Sequence, residues 1–207
     1  MTVSVRILVG ASLVWAVAAL TVQVVLARGS GRRDFSRRAG SPLRGLLYSF
    51  TGAMLPWHKE TIRGHPMQFA AGLLMHAGVI LCLLSAVLLA ASPELGQRVW
   101  SELRLPLLLP LVASVYLLAR RVWSPTLRTL SVPDDYLAVL VTTGLLTLGA
   151  VGSAFAAGQT VFLIYCSLLL VYLPLGKLRH AVFFFIARGD LGRRLGYRGV
   201  YPPVAKD

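Results

Sequence analysis

Met67 to Ala91 reads MQFAAGLLMHAGVILCLLSAVLLAA, a run with no Lys, Arg, Asp or Glu and one imidazole, His76. A bilayer core is crossed by about 20 apolar residues in a helix, so this run reads as a transmembrane span with residues to spare. Four other stretches approach the same length, at about 5–27, 105–123, 136–157 and 160–187. The fold class expected is therefore all-α: an integral membrane bundle of five transmembrane helices in a single membrane domain, residues 1–207. The first stretch follows Arg6 and runs longer than the apolar core of an ordinary signal peptide, so it is expected to span rather than be cleaved.

Composition agrees. Of 207 residues, 56% are hydrophobic and 14% charged, where a soluble domain carries roughly a quarter charged; the mean hydropathy is +0.70. The net charge of +13 would suggest nucleic acid in a soluble chain. In a membrane chain it reports topology and contact with anionic lipid headgroups. The loop 28–66 carries eight Lys or Arg, Arg120 to Asp135 three, and the chain from Lys177 onward seven; Arg6, Arg98 and Arg104 fall on the other side. Eighteen against three places the N-terminus outside, and the 28–66 loop and the 188–207 tail in the cytoplasm. The same basic loops could also dock an acidic partner face. Within the long loop, Pro42 to Leu55 is apolar enough to lie along the headgroups as an interfacial helix.

Two of the four histidines fall inside spans. His76 lies about nine residues into the second stretch from its cytoplasmic end, roughly 14 Å deep, and His180 about eight residues before Arg188, roughly 12 Å deep. Matching depth on two helices is what a haem b with one neutral His on each face of the iron requires. Gly72 and Gly176 each stand four residues before a histidine, on the same helix face, and remove bulk where a flat macrocycle would approach. Pro174 should bend the fifth helix ahead of His180. Lys177 and Arg179 flank His180, where they could pair with haem propionates or snorkel to the headgroups. The plainer alternative makes each histidine an interhelical hydrogen-bond partner.

Three stretches carry a resemblance: HPMQFAAGLLMHAGVILCLL (65–84), SVPDDYLAVLVTTGLLTLG (131–149) and YLPLGKLRHAVFFFIARGDLGRRLGYRGVYPP (172–203). Together they resemble the gamma subunit of respiratory nitrate reductase. They are closer still to its relatives, the cytochrome b subunits of sulfite-reduction and heterodisulfide-reductase-like membrane complexes. The resemblance covers about residues 55–203, and its most specific element is Pro-x-x-Lys-x-x-His, Pro174 to His180. It implies a multi-pass subunit in a bacterial or archaeal cytoplasmic membrane that passes electrons between a quinone or menaquinone pool and a cytoplasmic iron–sulfur subunit. It implies His76 and His180 as ligands of the haem nearer the cytoplasm. Nitrate-reductase gamma subunits carry a second histidine pair nearer the outer face, where this chain has Ala86 or its neighbours and Phe162. Neither binds iron, so one haem is expected.

His58, Lys59 and His65, in PWHKETIRGHP, lie near the membrane edge and could donate hydrogen bonds to a quinone headgroup. Alternatively, both histidines are solvated loop residues, with His65 preceding a helix start at Pro66. Asp134 and Asp135 follow Pro133 at a helix start, where acidic groups cap and complement the dipole; a proton relay is a secondary role. Trp57, Trp100 and Trp123 fall near expected interfaces, and Cys82 and Cys166 read as small core residues. No nucleophile–base set or phosphate loop is present, so group-transfer chemistry is not expected of the chain alone. The rival readings are a cofactor-free membrane anchor for a soluble redox enzyme and a small transporter. The transporter is disfavoured by spans whose polar residues are few (Gln23, Thr142, Thr143, Ser167) and include no midplane carboxylate.

Overall fold

The computed structural model describes residues 2–29, 36–58, 62 and 64–203, which leaves Lys59 outside the described residues. Among the described residues the regular structure is helical, with no strand. The helices are α1 (Val3–Gly29), α2 (Pro42–Phe50), α3 (Pro66–Ala91), α4 (Pro93–Glu102), α5 (Leu108–Trp123), α6 (Pro125–Leu130), α7 (Pro133–Val151), α8 (Gly158–Tyr172) and α9 (His180–Tyr197).

Three helices are long and apolar enough to cross a bilayer: α1, α3, and α7 with its 3-10 extension to Ala154. A fourth crossing is available if α8 and the Lys177–Tyr197 run, bent at the break between them, form one span. The third apolar stretch differs from expectation. Its turns run to Leu107, and the helix that follows, α5, has 16 residues. At 1.5 Å per residue this is about 24 Å, short of the ~30 Å hydrocarbon core. The fifth stretch is also interrupted. Pro174 has no N–H to give to Leu170 and its ring clashes with that carbonyl. The amides of Leu175 and Gly176 both turn back to the Tyr172 carbonyl, and α9 begins only at His180.

The chain forms two compact units: residues 1–20 with 67–178, and residues 21–66 with 179–207. The core of the first gathers Val5 and Val9 of α1, Cys82, Ala86 and Leu89 of α3, Trp100, Leu107, and residues of α7 and α8 including Leu145, Phe162 and Cys166. Both cysteines are buried free thiols. Gly96 lets α4 fold back on α3: a Cβ there would stand 2.5 Å from the Leu89 backbone nitrogen. The Arg6 guanidinium donates to the Ala90 carbonyl at 2.7 Å, satisfying one of the last carbonyls of α3 at the negative end of its dipole. Trp123, 78% exposed, and Trp57, 58% exposed, stand on the surface as interface anchors would. Trp100 does not: it is 1% exposed and stacks on Phe162 with ring centroids 5.2 Å apart. A four-residue spacing toward the core, not proximity to a membrane boundary, decides its environment.

The second unit is held by a seam of small residues. Ser41, Gly45 and Ser49, spaced by four, share one face of α2; Gly192 and Gly196 answer them on α9. A Cβ at Gly196 would stand 2.7 Å from Gly45 Cα, and one at Gly192 would stand 2.9 Å from the Gly45 carbonyl oxygen. The two backbones meet with no room for a methyl group. Across the seam Ser49 Oγ donates to the Arg188 carbonyl at 3.0 Å, and Arg188 Nε donates to the Ser49 carbonyl at 2.8 Å. Beyond it, the Ala39 and Gly40 amides both donate to the Tyr197 carbonyl. The chain then turns at Gly199, whose φ of 74° favours glycine. Part of 42–55 is helical, as α2, followed by a 3-10 turn at Gly52–Met54.

Candidate functional site

His76 lies on an exposed face of α3. Its Nδ1 is 2.6 Å from the carbonyl oxygen of Gly72, one turn earlier. A carbonyl only accepts, so Nδ1 is the donor in this bond and any metal ligation would fall to Nε2. Neutral imidazole with Nδ1–H held by a backbone carbonyl is the arrangement in which protein histidines ligate metals through Nε2. Beside it, a Cβ built on Gly72 meets nothing within 4 Å. The helix face next to the imidazole is open.

His180 is the first residue of α9, directly after a 3-10 turn at Lys177–Arg179. It is exposed, as is Arg179. Gly176 is under a different constraint from Gly72. It packs on its own turn, where a Cβ would collide with the Tyr172 ring. Its missing side chain is explained by the tight turn after Pro174.

Lys177 Nζ donates to Asp135 Oδ1, a partner that spacing along the sequence gives no means to find. Asp135 is the hub of a polar cluster. Its other oxygen accepts from the Val132 amide at 3.0 Å, so the residue also caps α7. Arg121 Nη1 lies 3.6 Å from Asp135 Oδ1 and donates to Ser131 Oγ at 2.8 Å. Tyr172 OH donates to the neighbouring Asp134. The cluster ties the end of α5, the start of α7 and the end of α8 together within the first unit. The available signal was that Asp134 and Asp135 precede one apolar stretch while Arg121 and Lys177 belong with the basic residues of the same expected membrane face.

The three quinone candidates do not form a described cluster. His58 closes a 3-10 turn, Pro56–His58, with its ring edge-on to Trp57 at 6.4 Å. His65 donates its amide to the Ile62 carbonyl at 3.0 Å and immediately precedes α3. Both are exposed. At the positions where a second histidine pair was sought, Ala86 and Phe162 are buried in one core with Trp100. No family model, curated protein or solved structure matches this chain.

Proposed function

We propose that this chain is the haem b subunit of a membrane redox complex, carrying electrons between a quinone pool and a cytoplasmic iron–sulfur subunit. In this reading His76 and His180 would hold the haem iron, with the N-terminus outside and the C-terminus cytoplasmic. The observation that carries the proposal is the His76 geometry: an imidazole whose Nδ1 donates to the Gly72 carbonyl, beside a glycine with open space over it. Both features are compatible with a flat macrocycle held through Nε2. His180 enters through the sequence pattern and the resemblance, which place it at matching depth.

Haem b supplies a one-electron carrier when bound. The residues of this chain set its position and surroundings. The Gly72 carbonyl fixes the His76 tautomer and ring plane, and raises the basicity of Nε2. Arg179, adjacent to His180, supplies a cation suited to a propionate. Lys177 is engaged by Asp135 and steadies the turn leading to His180. A single haem is the reading because Ala86 and Phe162, where the resemblance seeks a second histidine pair, offer no iron ligand and are buried in the core with Trp100.

A reduced-minus-oxidised spectrum of the purified chain tests this. A b-type band is expected in the wild type and lost in both His76→Ala and His180→Ala. A band that survives both substitutions removes these histidines as ligands, and a wild type with no band leaves a cofactor-free anchor.

A further inference from the structure

We infer that the second unit is a phospholipid-binding surface selective for anionic headgroups. Its two segments, residues 21–66 and 179–207, carry twelve arginines and two lysines against four acids, Asp34, Glu60, Asp190 and Asp207. Arginine presents a planar fork that matches phosphate oxygens two at a time, where lysine offers a point charge. Arg37, Arg38, Arg44, Arg193, Arg194 and Arg198 are all exposed.

Charge alone would fit an acidic protein equally well, and a second feature separates the two. The seam consumes one face of α2 through Ser41, Gly45 and Ser49. Helical spacing then turns Leu43 and Leu47 to the opposite face, where Leu43 is 63% and Leu47 58% exposed. Leu55 and Trp57 continue the exposed apolar surface just beyond α2. A short helix pair with leucines outward and arginines on the same unit matches the boundary between phosphates and acyl chains. An acidic protein face would cover the arginines and leave those leucines in water. The α9 sequence has the same order: HAVFFFIA is apolar, and the arginines begin at Arg188. This inference does not depend on haem and stands or falls separately from it.

The test is lipid selectivity of the full chain reconstituted in phosphatidylcholine vesicles with trace spin-labelled phosphatidylglycerol or spin-labelled phosphatidylcholine. The motionally restricted spectral component measures association with the protein. The wild type should prefer phosphatidylglycerol by a factor on the order of five, a preference fading as salt is raised. The triple variant R44Q/R193Q/R194Q should lose most of it, while R98Q/R104Q, in the first unit, should retain it. Should the triple variant fail to fold, R44Q and R194Q singly preserve the comparison, each with a reduced preference. Equal association of the two lipids with the wild type overturns the inference and leaves an acidic protein as the occupant. An undiminished preference in the folded Gln variants overturns it too.

Discussion

Gly192→Ala places one methyl group in the tightest helix contact of the second unit. A Cβ there would lie 2.6 Å from Ser49 Cβ, 2.9 Å from the Gly45 carbonyl oxygen and 3.1 Å from Leu46 Cα. Two opposing effects decide the outcome. Alanine gains about 0.8–1 kcal/mol of helix propensity over glycine. Against this, two of the three neighbours belong to backbone and cannot rotate away, so α2 and α9 must separate. Overpacking of this kind costs about 1–3 kcal/mol, and separation also stretches the reciprocal Ser49–Arg188 hydrogen bonds at 3.0 and 2.8 Å. The clash therefore wins, by up to about 2 kcal/mol. Amide hydrogen exchange over residues 42–50 reads this directly, as faster exchange across α2 by up to about thirtyfold, since 1.4 kcal/mol is tenfold. Gly10→Ala is the control. It is helical, and nothing lies within 4 Å of its Cβ position, so only the propensity gain applies. If Gly192→Ala behaved like Gly10→Ala, close backbone contact would not be what holds α2 to α9.

Asp135→Ala removes the cap on the Val132 amide and the partner of Lys177. Lys177 is half-exposed and solvent already screens it, so the combined loss should be about 1–3 kcal/mol, seen as a lower unfolding midpoint in detergent; an unchanged midpoint would dissolve the cluster's structural role. Pro174→Ala restores the amide that a continuous helix needs at that position. Exchange at residues 173–176 should slow as the helix extends past Tyr172, and unaltered exchange would shift the cause of the break to the turn around Gly176.

How far the sequence could be read depends on the range of the interaction involved. The long apolar runs of α1, α3 and α7 are local properties, and all three helices lie where hydropathy places them. The break near Pro174 was foreseen as a bend because proline's missing donor acts within one turn. That it becomes a full interruption depends on Gly176 packing against the Tyr172 ring, a contact with no signature in hydropathy. In the third stretch the helix starts later than hydropathy suggests: Pro106 and the turns through Leu107 occupy residues that a hydropathy count assigns to a helix. Long-range pairings were invisible. Lys177 meets Asp135 across forty-two positions. Nothing in the sequence pairs Gly45 with Gly192, whose contact exists only because α2 and α9 lie side by side. Trp100 was placed at an interface by its neighbours in sequence, but its neighbours in space are Phe162 and Gly152. At the candidate site, sequence supplied His76 and its glycine; the Nδ1 hydrogen bond that fixes the tautomer required coordinates.

Haem content of the purified wild-type chain, measured as pyridine haemochrome against protein mass, is the most direct test of whether this is an electron carrier. One haem per chain is expected. None would return the chain to the status of a bare anchor. Two would contradict the single-haem reading and require a second set of ligands besides His76 and His180.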